Sequence, residues 1–185
     1  MNTYFNEITS KPAKTADGNV VYKIPAGAFC SNGDMGAVFD DDENGLIIHI
    51  SKCDFWKFTK GAHKSGGIKT VGSLRISNVD LSEYNIKQYF DKGLLECKFG
   101  NAEIEFFIAP ENIMYVQIKS SVKSEAPVVS VELPDTCDSK NSEISDKGTK
   151  CYIRRFEGGD VVRNTGVALG LREIESAVSE GEDTE

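Results

Sequence analysis

The chain has 185 residues with 21 Lys+Arg against 29 Asp+Glu, a formal charge of −8 and a pI near 4.9. That balance argues against a nucleic-acid partner, because phosphate binding needs clustered cations, and the length suits one domain of about 100 to 200 residues. With 39% hydrophobic residues the chain builds one core, yet no stretch approaches the ~18 consecutive apolar residues of a membrane span.

Met1 to Ala13 carries no apolar run behind basic residues, so the chain as given reads as cytoplasmic, and a longer parent secreted through a removed signal is compatible with it. The five cysteines, Cys30, Cys53, Cys97, Cys137 and Cys151, are odd in number and form no Cys-x-x-Cys pair, which argues against a disulfide framework or a zinc ribbon. Buried, reduced thiols are expected. Neither a metal nor a cofactor is expected.

From Val20 onward, short apolar runs rich in β-branched and aromatic residues recur about every ten residues, separated by Gly, Asn, Asp and Ser, the pattern of an all-β sandwich or barrel. Strands are expected at 20–24, 37–39 and 46–51. Before the third, Asp40-Asp41-Asp42-Glu43-Asn44-Gly45 matches the first half of a calcium loop, with oxygen ligands at alternate positions and a turn glycine. The twelfth position fails, since Ser51 stands where a bidentate carboxylate is needed, and the segment reads as an acidic, solvated hairpin turn ending in Asn44-Gly45. A strand at 74–76 follows. Asn85 to Phe90 and Leu94 to Phe99 then flank Asp91-Lys92-Gly93, a connection suited to a bulged hairpin.

Ile104, Phe106 and Ile108 alternate with Glu103 and Glu105, and Met114, Val116 and Ile118 alternate with Gln117 and Lys119, the period of strands with one wet face. Pro110-Glu111-Asn112 supplies the turn between them. Strands at 128–133, 151–156 and 167–174 complete a set sufficient for a two-layer antiparallel sandwich. Residues 121–126 and 135–150 are polar and read as loops, the second long enough to cap an open edge. Residues 1–172 thus form one sandwich domain, and 173–185 an acidic, disordered tail.

His49 lies within an apolar run and His63 among Lys60, Lys64 and glycines, and neither belongs to a local Ser-His-Asp or Cys-His signature. Gly66-Gly67 and Gly158-Gly159 lack the spacing that cradles phosphate. Carboxylates are abundant, yet glycosidic hydrolysis needs two of them facing each other across a cleft, and most fall in turns, on wet faces or in the tail. No catalytic residue is expected. One cluster carries more chemistry. Ser31-Asn32-Gly33-Asp34-Met35-Gly36 places polar side chains and two glycines before a strand, and Lys52-Cys53-Asp54-Phe55-Trp56 ends another with a cation, a carboxylate and the only Trp. Flat apolar faces beside amide and charged groups are what sugars recruit, so Asn32, Asp34, Lys52, Asp54 and Trp56 are the candidate carbohydrate contacts. The structural alternative is that Phe55 and Trp56 plug one end of the sandwich and Lys52 pairs with Asp54.

These residues carry a resemblance. Ile24-Pro25, Ser31 to Val38, Ile48 to Trp56 and Val71 to Ile76, followed by Tyr84 to Ile86, Leu94 to Phe99, Phe106-Phe107-Ile108-Ala109-Pro110-Glu111-Asn112 and Tyr115 to Ile118, resemble the N-terminal β-supersandwich domain of glycoside hydrolases similar to the family 95 α-L-fucosidases and the family 65 group. The similarity runs over roughly Ile24 to Leu171. It implies a galactose-mutarotase-like sandwich, truncated here, whose catalytic carboxylates lie on a separate (α/α)6 toroid, so no catalytic residue is carried over to this chain. The function it implies is a non-catalytic module that braces the catalytic domain and shapes part of a glycan cleft. A free-standing, lectin-like carbohydrate-binding module is the alternative, against which the 9% aromatic content and single Trp count. Missing strands would leave an open edge, for which pairing with a second copy is the expected remedy.

Overall fold

Along β10 (Ala102–Ile108), Ala102, Ile104, Phe106 and Ile108 are buried while Glu103, Glu105 and Phe107 face solvent, and on β11 (Met114–Ser120) Met114, Val116 and Ile118 turn inward in the same rhythm. The alternation read from the sequence therefore sets the faces of this hairpin. The structure is a computed structural model, which describes residues 2–5, 11–14, 20–24, 27–57, 67–120, 126–136, 139–157, 164–172 and 174. Among them there is no helix, and every strand pairing is antiparallel. None of them forms a helix long and apolar enough to cross a membrane.

One five-stranded sheet runs in the order β1 (Asn2–Phe5), β8 (Asn85–Tyr89), β9 (Leu94–Lys98), β10 and β11. The second runs β12 (Val128–Glu132), β7 (Gly67–Ser77), β6 (Gly45–Lys57), β5 (Met35–Asp42) and β4 (Phe29–Ser31). Their inner faces make one core: Leu46, Ile48, Ile50 and Ile76 from the second sheet meet Ile86, Leu95, Ile104 and Phe106 from the first, all essentially without solvent contact. Phe39 meets Phe106 edge to face across it, ring centroids 5.2 Å apart at 88°. This is an all-β antiparallel sandwich, as the spacing of apolar runs requires.

A third sheet of β13 (Ser139–Asp146), β14 (Thr149–Glu157) and β15 (Asn164–Arg172) adjoins the far end of β6, where Phe156 packs on Phe55 at 5.6 Å and Val167 and Leu169 lean on the same core. A small hairpin pairs β2 (Lys11–Lys14) with β3 (Val20–Ile24).

Three expectations are corrected. Residues 135–150 are not a loop, because 139–146 form β13 and pair with β14 through the two-residue turn Lys147-Gly148. Both turn residues have positive φ, 46° and 78°, the geometry whose twist matches flanking strands. Strand structure also begins upstream of Val20, in β1 and β2. The hairpin at 40–45 forms, but Asp40 is buried rather than solvated, and Gly45 sits at φ 130° where a Cβ would collide with the Ile76 carbonyl oxygen. The expected loop at 121–125, His63 and the acidic stretch 175–185 lie outside the described residues.

Candidate functional site

Four of the five candidate carbohydrate contacts meet at one corner of the sandwich. Asn32 and Asp34 occupy the turn between β4 and β5. Opposite, the pairing of β6 with β7 jumps from Ser51 with Thr70 to Trp56 with Ile68, so residues 52–55 bulge against Lys69 alone. A bulge re-aims side chains that a regular ladder would send to fixed faces. Here it buries Phe55, turns Lys52 and Cys53 toward the β4–β5 turn and leaves Asp54 exposed beside Lys52.

Asp34 is the hub. Its Oδ1 accepts from the Cys53 thiol at 2.8 Å and from Lys52 Nζ at 3.1 Å, and its Oδ2 accepts from Asn112 Nδ2 at 2.6 Å. Lys52 Nζ also donates to Asp54 Oδ1 at 2.7 Å. These donors, the Cys53 thiol first and then Lys52 and Asn112, hold the Asp34 carboxyl down to about 2. Reciprocally, Asp54 and Asp34 push the Lys52 ammonium up, and the Asp34 carboxylate pushes the Cys53 thiol up, so Cys53 is a poor nucleophile despite its exposure. Burial pushes the Cys30 thiol up in the same direction. The expectation of buried thiols holds for Cys30 and Cys97. It does not hold for Cys53, which the bulge turns outward, nor for the half-buried Cys151, and Cys137 lies outside the described residues.

Asn32 ties this corner to the opposite sheet. Its Oδ1 accepts the backbone N–H groups of Asp34 (3.0 Å) and Met35 (2.8 Å), closing the turn, while Nδ2 donates to the Ala109 carbonyl and to Asn112 Oδ1, both at 2.8 Å. Ala109 and Asn112 belong to the β10–β11 turn, where Asn112 adopts φ 61°, a left-handed conformation that Asn tolerates. Asn112 was legible in the sequence only as a turn residue; its role as a cross-sheet partner was not.

The chemical capacity of this corner is therefore limited. Asn32 and Asp34 have their hydrogen-bonding groups engaged with protein partners, and Lys52 is held between two carboxylates. Trp56 keeps 44% exposure, but its indole N–H donates to the Cys53 carbonyl. The pairing of Lys52 with Asp54 and the burial of Phe55 fit the structural alternative, while Trp56 plugs nothing. The arrangement is a clasp between two turns, with Asp54 and one indole face at its outer rim.

A second constellation escaped the sequence because its members come from three strands. On the outer face of the second sheet, His49 Nε2 lies 3.2 Å from Asp40 Oδ2 and its Nδ1 lies 3.0 Å from Ser73 Oγ. These are the residue types of a nucleophilic triad. The surroundings oppose that chemistry. Ser73 is 8% exposed on β7, between β6 and β12, so its hydroxyl has little room to meet a substrate. Beside it, Arg75 grips Asp42 of the calcium-like segment with two bonds (2.7 and 3.0 Å) and reaches Glu132 on β12. Among the described residues no group of three or more His, Cys, Asp or Glu is placed to hold a metal ion. Comparisons with protein families, with curated proteins and with solved structures find no match for this chain.

Proposed function

We propose that this chain is a non-catalytic sandwich module of a glycan-handling protein, and that it works by presenting a stiff, braced β-scaffold to a catalytic (α/α)6 domain. The observation that supports the reading is the clasp itself. Three of the eight stretches that carry the resemblance, around Asn32, around Lys52 and at Ala109 to Asn112, converge in one hydrogen-bonded network that locks the two main sheets together at a corner. Groups committed to one another in this way serve rigidity, since a sugar would have to displace protein partners to use them.

The test has two arms. A panel of nitrophenyl glycosides should be left intact by the purified chain, and Trp56 fluorescence should stay constant on titration with fucosides and glucosides. Turnover of any glycoside would overturn the scaffold reading. Quenching at Trp56 that saturates with sugar would show that the clasp opens to bind.

A further inference from the structure

We propose that the outer face of the β8–β11 sheet is a binding site for a saccharide, with pyranose rings lying across the strands. The proposal rests on the reading of the chain as a module of a glycan-handling protein. Register aligns residues across four strands into rows. Tyr89 pairs with Leu94, Leu94 with Phe107 and Phe107 with Tyr115, giving an apolar and aromatic ridge. The next row, in the same register, is Lys87, Glu96, Glu105 and Gln117. An aromatic ridge thus runs beside a row of carboxylates that ends in an amide.

The ridge is accessible. Phe107 and Tyr115 stack with centroids 4.7 Å apart at 13° and remain 39% and 47% exposed. The stack steadies the hairpin and fixes both rings in one orientation, so binding costs them little rotamer freedom.

The polar row is arranged at odds with sheet stability. Glu96 stands directly across from Glu105, a like-charge pair that weakens strand pairing. The Tyr89 hydroxyl donates to Glu96 Oε2 at 2.7 Å and Lys119 approaches Glu105 at 3.5 Å, leaving acceptor positions on both carboxylates. With Lys98, Glu103, Gln117 and Lys119 they line a shallow depression of about 210 Å³ on the side of the row away from the ridge. That lies below the roughly 300 to 1,000 Å³ of a pocket for a drug-sized ligand, and leaves room for the hydroxyl rim of a ring that rests on the ridge.

The ligand class follows from the pairing of the two rows. A pyranose has an apolar C–H face for the ridge and a rim of hydroxyls that donate to Glu96 and Glu105 and accept from Gln117. Hydroxyl donors between the two carboxylates also relieve their repulsion. Phosphorylated ligands find no excess of cations, since Lys87, Lys98 and Lys119 are balanced by Glu96, Glu103 and Glu105, and an apolar peptide would bury the carboxylates without partners.

Calorimetric titration of the whole chain with 2′-fucosyllactose, cellotetraose, maltotetraose and xylotetraose tests the site. At least one should bind, and Tyr115→Ala should weaken it by about tenfold, the worth of one aromatic contact. Tyr115→Phe and Trp56→Ala should leave it unchanged. Backbone amide shifts in the unmodified protein, independent of any variant's folding, should concentrate on β9, β10 and β11. Silence from all four probes, or shifts gathered at Lys52 to Trp56 instead, would overturn the site while leaving the scaffold reading standing. Hydrolysis of a probe would overturn the scaffold reading whichever face binds.

Discussion

The clasp makes a quantitative demand on Asn32. Asn32→Ala removes four hydrogen bonds, two that close the β4–β5 turn and two that cross to the β10–β11 turn. At roughly 0.5 to 1.5 kcal/mol net for each, the gross loss is about 2 to 6 kcal/mol. The site is half-buried, so water restores part of this, and the low end of the range, about 2 to 3 kcal/mol, is expected. For a chain of this length that lowers the melting temperature by about 4 to 12 °C. Urea unfolding followed by far-ultraviolet circular dichroism measures it. The partner variant is Asn112→Gly, which deletes the side chain while suiting the left-handed backbone at that position. In the double-mutant cycle the pair should couple by about 0.5 to 1.5 kcal/mol, because each variant removes the same cross-sheet bond. A loss below about 0.5 kcal/mol for Asn32→Ala, with additivity in the cycle, would mean an ordinary surface polar residue and would refute the clasp.

Three further expectations follow from the same coordinates. The Asp34 carboxyl, held at about 2 in the fold against about 3.9 in the unfolded chain, contributes stability that is complete above that unfolded value and disappears as pH falls toward 2. The difference in urea midpoint between the parent and Asp34→Asn should therefore be largest above pH 4 and close on acidification, and a constant difference across that window would contradict it. Phe39→Leu and Phe106→Leu each remove about three carbons, so each should cost about 2 kcal/mol at ~0.8 kcal/mol per carbon. Their cycle should show about 0.5 to 1.5 kcal/mol of coupling from the edge-to-face contact, and simple additivity would deny that the two sheets meet there. Lastly, β11 is paired only with β10 among the described strands, and this open edge should bring two copies together; light scattering that reports a strict monomer at high concentration would reject the pairing.

The legible parts of the fold are those where one face is wet and the other dry. Glu103 and Glu105 between Ile104, Phe106 and Ile108 announce a strand because burial alternates along it. By contrast, the side chains of β13 are exposed nearly throughout, so Ser-Lys-Asn-Ser-Glu-Ile-Ser-Asp carries no period, and its pairing is dictated by the Lys147-Gly148 turn and the neighbouring β14. The clasp was legible as a set of residue types near two strand ends. That Asn112 completes it, 80 positions from Asn32, depends on how the β10–β11 turn meets the β4–β5 turn, which no local pattern encodes. His49, Asp40 and Ser73 were hidden for the same reason, each on a different strand.

The two polar regions of this sandwich separate by how fully their groups are satisfied. At the corner, Asp34 collects a thiol, an ammonium and an amide, so its acceptor positions are spent inside the protein, which gives a braced joint with little left to offer a ligand. On the outer face of the β8–β11 sheet the balance runs the other way. Glu96 and Glu105 oppose each other, and two large rings stay in water although the core beneath holds Phe106 and Leu95 without solvent contact. A sequence selected only for stability would replace one of the two glutamates with a cation, since that change is open to an exposed face and does not disturb the core. That the clasp spends most of its polar groups on one another, while the sheet face turns stacked rings and opposed carboxylates to solvent together, is why the sheet face rather than the clasp is assigned the ligand.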